Sequence, residues 1–124
     1  MSVETNIAAA RRFIEDVWNA GNLALVDELM TSDASTHDAD PGRTTDRNGY
    51  KAFIGGFRAA HPNARFVVED CFGEGDRVAT RVSIHEGEAT GWTGIGITRF
   101  QDGRITEQWA NSDALSDAPI GGLT

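Results

Sequence analysis

Few side chains in this sequence could move a proton or seat a ligand, and Asp113 is the first of them. It follows the run Trp109-Ala110-Asn111-Ser112. As a general base it would need apolar surroundings to raise its pKa, and Trp92 and Trp109 could supply them. An Asp in that setting is equally a good turn residue. His85 ends an alternating run beside a Gly turn, where an imidazole could serve as an acid near neutral pH. Asn111 and Gln108 offer hydrogen-bond donors to a developing enolate. His37-Asp38-Ala39-Asp40 superficially suggests metal ligands. Donors that close together belong to a solvated loop, and no second cluster completes a shell, so no metal is expected. His37 itself falls where it could line a pocket mouth. The sequence holds no Ser-His-Asp order, phosphate loop or dinucleotide fingerprint, so no organic cofactor is expected.

The richest local pattern is the last hairpin. Asp102-Gly103 is a two-residue turn signal, which pairs Gln101 with Arg104 and Phe100 with Ile105. An unbroken ladder then sets Thr98 against Glu107, Gly96 against Trp109 and Gly94 against Asn111. One face would carry Trp92, Gly94, Gly96, Glu107, Trp109 and Asn111, with Ile95, Ile97 and Arg99 on the other. Two glycines at alternate strand positions either bend the sheet or leave room for something. On this register they leave a gap beside two indoles, a seat for a flat apolar ligand.

The elements that must position these residues follow from periodicity. Ile7, Ala10, Phe13, Ile14, Val17 and Trp18 form one apolar stripe, predicting a helix capped by Ser2 or Thr5 and ended at Gly21. Asn22 is placed to cap a short second helix with Val26, Leu29 and Met30 on one face. An extended piece runs to His37, then a turn-rich loop from Asp38 to Asn48. Tyr50, Phe53, Ile54 and Phe57 mark a third helix closed by His61-Pro62, with Phe13 and Trp18 as further pocket wall. Gly55-Gly56 inside it suggests a close crossing of another element. From Ala64 the period becomes two: a strand to Phe72, the turn Gly73-Glu74-Gly75-Asp76, the alternating run Arg77 to His85, and a strand from Gly91 to Phe100. Three helices followed by hairpin-linked strands predict an α+β fold, helices packed on a curved antiparallel sheet with an internal pocket.

The bulk numbers set limits. The 124 residues make one domain, 1–124, whose last stretch, 115–124, reads as a frayed tail. With a formal charge of −8 the surface repels phosphate backbones and anionic lipid, so neither nucleic acid nor membrane is an expected partner. The single cysteine, Cys71, cannot form an internal disulfide and reads as an inert core thiol. The start lacks a basic segment and a long apolar run, so a cytoplasmic location is expected.

From Gly94 to Asp113 the pattern Gly-Ile-x-Ile-x-Arg-Phe-x-Asp-Gly-x-Ile-x-Glu-x-Trp-x-x-x-Asp resembles the SnoaL-like polyketide cyclases of the nuclear transport factor 2 superfamily. The stretches FRAAHPNARF at 57–66 and GDRVATR at 75–81 fit too, and the similarity runs from about residue 5 to Leu115. The resemblance implies a conical α+β barrel, a homodimer formed through the sheet, and a cavity for an apolar small molecule. In the founding cyclases a carboxylate on the last strand works beside a histidine on the strand before it. Those positions fall on Ala110 and Gly96 here, while Asp113 matches an aspartate of the wider group. The implied function is cofactor-independent acid/base chemistry on a polyketide-like carbonyl compound, of cyclase or isomerase type, with Asp113 and His85 as the proton-moving pair. Two alternatives stand beside it. One is a ligand-binding domain without catalysis; the other is an epoxide-opening or hydrating enzyme, whose aspartate–arginine–aspartate set this sequence does not assemble.

Overall fold

The computed structural model describes residues 2–37, 43–87 and 89–114, with only the backbone of 89, 90 and 114. Expectations for Asp38–Gly42 and for the 115–124 tail lie outside the described residues.

Helix α1 (Val3–Arg12) starts where Ser2 Oγ accepts the Thr5 amide at 3.1 Å, the side-chain cap a free helix start requires. It runs on as a π-helix over Phe13–Asn19, with the Ala20 amide bonding Glu15 O. The wider turn matters: at α-helical spacing Phe13 and Trp18 would splay by about 140°, whereas here both are buried against the sheet. Gly21, at φ +73°, then reverses the chain in a conformation glycine adopts without strain. Helix α2 (Ala24–Leu29) begins after Leu23 with no side-chain cap, so Asn22 does not cap it as expected.

Strand β1 (Met30–His37) starts directly at Met30, and β2 (Thr44–Asp46) occupies part of the expected loop. Asp46 Oδ1 accepts the Gly49 amide at 2.7 Å and caps α3 (Arg47–Ala60). Gly55 lies under Leu23: a Cβ there would come within 3.3 Å of Leu23 Cδ1. Strands β3 (Arg65–Glu74), β4 (Arg77–Glu86), β5 (Ala89–Gln101) and β6 (Arg104–Ala114) follow.

The six strands form one curved, unclosed sheet in the order β2-β1-β6-β5-β4-β3. All neighbours are antiparallel except β1 and β6, which run parallel. The fold is therefore α+β, as expected, with one parallel pair in the sheet. Phe13, Val17, Trp18, Val26, Met30, Ile54, Val78, Phe100 and Ile105 fill the space between helices and sheet. Cys71 is half-buried, with Sγ 3.7 Å from Thr80 Oγ1. No helix among the described residues is long and apolar enough to cross a membrane.

The β5–β6 register corrects the sequence reading. Asp102 and Gly103 take positive φ of 53° and 81°, and Gln101 and Phe100 pair with Arg104 and Ile105 as expected. Then the ladder shifts. Arg99 pairs with Glu107, Ile97 with Trp109, Gly96 with Ala110 and Ile95 with Asn111. Thr106 is the extra residue of a bulge, and one extra residue exchanges the two faces of everything beyond it. Glu107, Trp109, Asn111 and Asp113 consequently share the outer face with Arg99, Ile97, Ile95 and Thr93, not the glycine face.

Candidate active site

Between the helices and the inner face of the sheet lies a cavity of about 600 Å³. The sheet side of its lining includes Val82, Ile84, Trp92, Gly94, Gly96, Thr98, Gln108 and Ala110. Alternation along β4 and β5 accounts for this choice, since it turns Val82, Ile84, Gly94 and Gly96 inward. The helix side carries Phe13, Trp18, Tyr50, Phe53, Phe57 and His61. Tyr50, Phe53, Phe57 and His61 recur at three- and four-residue steps, so they form one stripe on α3 and its C-cap.

Trp18 is the hub of this wall. Its ring centroid lies 4.8 Å from Phe66, 5.8 Å from Phe57, 6.1 Å from Tyr50 and 6.2 Å from Phe53. The backbone beneath is fixed by Asn19, whose amide donates to Phe66 O at 2.9 Å and accepts the Phe66 amide at 2.7 Å.

At one end of the stripe, His61 packs between Phe57 and Trp92, with centroids 4.8 and 4.9 Å away. Its Nδ1 is 2.8 Å from Glu86 Oε2. A neutral imidazole so held keeps its proton on Nδ1, leaving Nε2 as the ring's acceptor. At the other end, burial pushes the Tyr50 hydroxyl up to about 12 against the opposing pull of hydrogen bonds from Trp18 and Gln108. Tyr50 therefore stays a protonated phenol. Gln108 is anchored in turn, donating to Thr36 Oγ1 at 2.9 Å. Among the described residues that line the cavity, none is an Asp or Glu.

Phe13, Trp18, Trp92, Gly94 and Gly96 all border the cavity. Trp109 and Asn111 border it through their backbones: their carbonyl oxygens lie 3.3 and 3.5 Å from where Cβ atoms on Gly96 and Gly94 would sit. The Trp109 indole is on the outer face, stacked on the His37 ring at 5.4 Å with the Arg77 guanidinium 5.4 Å above it. His37 touches the cavity rim, but its ring nitrogens engage Thr44 Oγ1 at 3.0 Å and Glu107 Oε2 at 2.7 Å. The His37 and Arg99 bonds hold the Glu107 carboxyl below the usual carboxylate range.

The expected acid/base pair is not assembled at the cavity. Asp113 is exposed, opposite Thr93 on the outer side of β5–β6, and the His85 ring lies 3.0 Å from Ser83 Oγ. Neither lines the cavity. The register shift moves Asp113, while plain alternation along β4, which turns Val82 and Ile84 inward, leaves His85 on the other face with Ser83. Sequence reasoning missed His61 and Tyr50 as site residues. The signal was present in the α3 stripe, which ends in two polar groups, but it read as core plus a helix stop. Among the described residues no cluster of three His, Cys, Asp or Glu is placed to hold a metal.

The comparisons with known proteins agree with this geometry. The family model for SnoaL-like polyketide cyclases matches residues 8–117. No curated protein matches the chain. Among solved structures, the chain is similar to wild-type IdmH of Streptomyces antibioticus, a candidate polyketide cyclase. The identity is 27% and the TM-score 0.77, covering 87% of this chain and 91% of that one. A candidate polyketide cyclase of Bacillus cereus is 29% identical with a TM-score of 0.75, covering 88% and 74%. A candidate ketosteroid isomerase of Kribbella flavida shares the fold at 18% identity and a TM-score of 0.76, covering 96% and 85%. The inward cavity, the helix-backed sheet and the match over residues 8–117 place this chain in the SnoaL-like polyketide cyclase family.

Proposed function

We propose that this chain is a cofactor-independent enzyme that moves protons on an apolar, polyketide-like carbonyl compound, as a cyclase or isomerase does. The observation that carries the reading is the His61–Glu86 pair set into an aromatic cavity wall. Nε2 of His61 takes a proton from the carbon next to a carbonyl, and the Glu86 carboxylate stabilises the imidazolium that results. The enolate carbon then attacks a second carbonyl to close a ring, whose alkoxide takes the proton back from His61, or regains the proton at another position. The hydroxyls of Thr80, Thr98 and Ser112, all on the cavity lining, are donors for the enolate oxygen. The aromatic wall excludes water, which strengthens each of these interactions.

The test is proton exchange at the α carbon of 1-tetralone in D2O, followed by NMR. Wild-type protein should accelerate exchange over buffer, and His61→Gln should lose on the order of a hundredfold. Exchange no faster than buffer, or an unchanged His61→Gln, would sink the proposal. A second reading, ligand binding without catalysis, is favoured by one observation. Gly96 and Ala110 face each other on the cavity floor, so the family's acid/base positions carry no proton-moving group. Binding of 1-tetralone without exchange would support it.

The reading includes a homodimer through the outer sheet face. Phe72, Ile95 and Ile97 are 65%, 58% and 42% exposed there. Phe72, Ala79, Ile97 and Trp109 form one cross-strand row, an apolar strip of the kind a partner covers.

A further inference from the structure

The α3 stripe has a polar group at each end and only apolar rings between: Tyr50, then Phe53 and Phe57, then His61. Eleven residues of helix separate the ends, about 16 Å along the axis. Each polar end is held by neighbours outside the stripe. The Tyr50 ring is held by Phe13, stacked on it at 6.1 Å, and by Trp18, edge-on at 6.1 Å, and it borders the cavity. Glu86 occupies Nδ1 of His61, which leaves Nε2 for a ligand. Between the two ends, α3 itself presents only the Phe53 and Phe57 rings. A ligand oxygen turned toward those rings would lose its water without full replacement, at a cost of roughly 1–3 kcal/mol.

We infer that Tyr50 and His61 act as a two-ended gauge that selects flat apolar ligands carrying an oxygen function at each end. This rests on the reading of the cavity as a ligand site and deepens it by naming the ligand's polarity pattern and length. Allowing about 2–3 Å of reach along the axis for a hydrogen bond at each end, the ligand oxygens should stand roughly 10–12 Å apart. One small carbonyl compound cannot touch both residues. Tyr50 is thus a specificity residue acting at a distance from the carbon that His61 deprotonates, holding the far end of an extended substrate in one orientation.

The gauge is tested by equilibrium binding, which needs no turnover and so can succeed or fail independently of the proton-transfer proposal. The probes are 4,4′-dihydroxystilbene, which has a hydroxyl at each end, 4-hydroxystilbene, which has one, and 4-hydroxystyrene, which is too short. Affinity is read from quenching of tryptophan fluorescence. Wild-type protein should bind the dihydroxy compound about tenfold more tightly than the monohydroxy one, the worth of a hydrogen bond of about 1.4 kcal/mol. 4-Hydroxystyrene should bind more weakly than either. Tyr50→Phe and His61→Phe keep the rings and remove one polar end each. Either substitution should bring the two stilbenes within twofold of each other. Equal binding of the two stilbenes to wild type would overturn the inference without recourse to any variant. So would a tenfold preference that survives in both substituted proteins, or no binding of any stilbene.

Discussion

Arg99 and Glu107 face each other across β5 and β6, with Arg99 Nη2 3.0 Å and Nε 3.2 Å from Glu107 Oε1. An unbroken ladder from the Asp102-Gly103 turn would put them on opposite faces of the sheet. They meet because Thr106 is inserted between Ile105 and Glu107, and Thr106 itself is buried, 3.3 Å from Thr31 Oγ1. Deleting Thr106 should therefore turn Glu107 and Trp109 into the cavity and strip Glu107 of both partners. The expected loss is roughly 3 kcal/mol or more, the scale of an uncompensated buried charge. Urea denaturation measures it, and a stability within 1 kcal/mol of wild type would count against the bulge as the device that sorts the faces.

Glu107 also predicts a pH dependence. Its carboxyl lies below the ordinary range, chiefly through the bond with His37 and then that with Arg99. A depressed folded-state pKa adds stability that is present above the ordinary carboxylate value and lost as pH falls through the folded one. From about pH 5 downward, wild type should lose stability faster than Glu107→Gln. Melting curves between pH 6 and about 3 test this; parallel declines would show that the pair contributes nothing.

The two floor glycines should differ. A Cβ on Gly96 would meet only Trp109 O, at 3.3 Å, so a longer side chain has the cavity to enter. Gly96→Leu should cost at most about 1 kcal/mol and weaken 4-hydroxystilbene binding tenfold or more. A Cβ on Gly94 meets Val82 Cγ2 at 3.2 Å as well as Asn111 O at 3.5 Å. Gly94→Leu should instead destabilise by roughly 1–3 kcal/mol through overpacking. Undiminished binding in a folded Gly96→Leu protein would mean that the ligand sits elsewhere.

Asp113 and His85 lie off the cavity lining, so Asp113→Asn and His85→Gln should keep 1-tetralone exchange within about twofold of wild type. A group that moved the proton would instead cost on the order of a hundredfold. A loss of that size in Asp113→Asn would return the aspartate to the mechanism.

The outer-face dimer is tested by charge. Ile95→Lys combined with Ile97→Lys places two ammonium groups on the exposed apolar strip. Light scattering should report a dimer for wild type and a folded monomer for the double variant at the same concentration. A monomeric wild type across the micromolar range would remove the proposal.

The sequence by itself determined most of the elements and their order, β2 excepted, because those rest on local signals. The Ser2 cap, the stripe from Ile7 to Trp18, the stripe from Tyr50 to Phe57, the alternation from Arg77 to Ile84 and the Asp102-Gly103 turn are all realised. The family was legible for the same reason, since its motif lies within one hairpin. Which face of that hairpin looks inward was not legible. No residue type marks Thr106 as an inserted position; the bulge arises where β6 must pair with β1 as well as β5, and one inserted residue reverses every side chain after it. The partnership of His61 with Glu86 was equally hidden. It joins the end of α3 to the end of β4 across 25 residues, and only the packing of helix on sheet brings the two together.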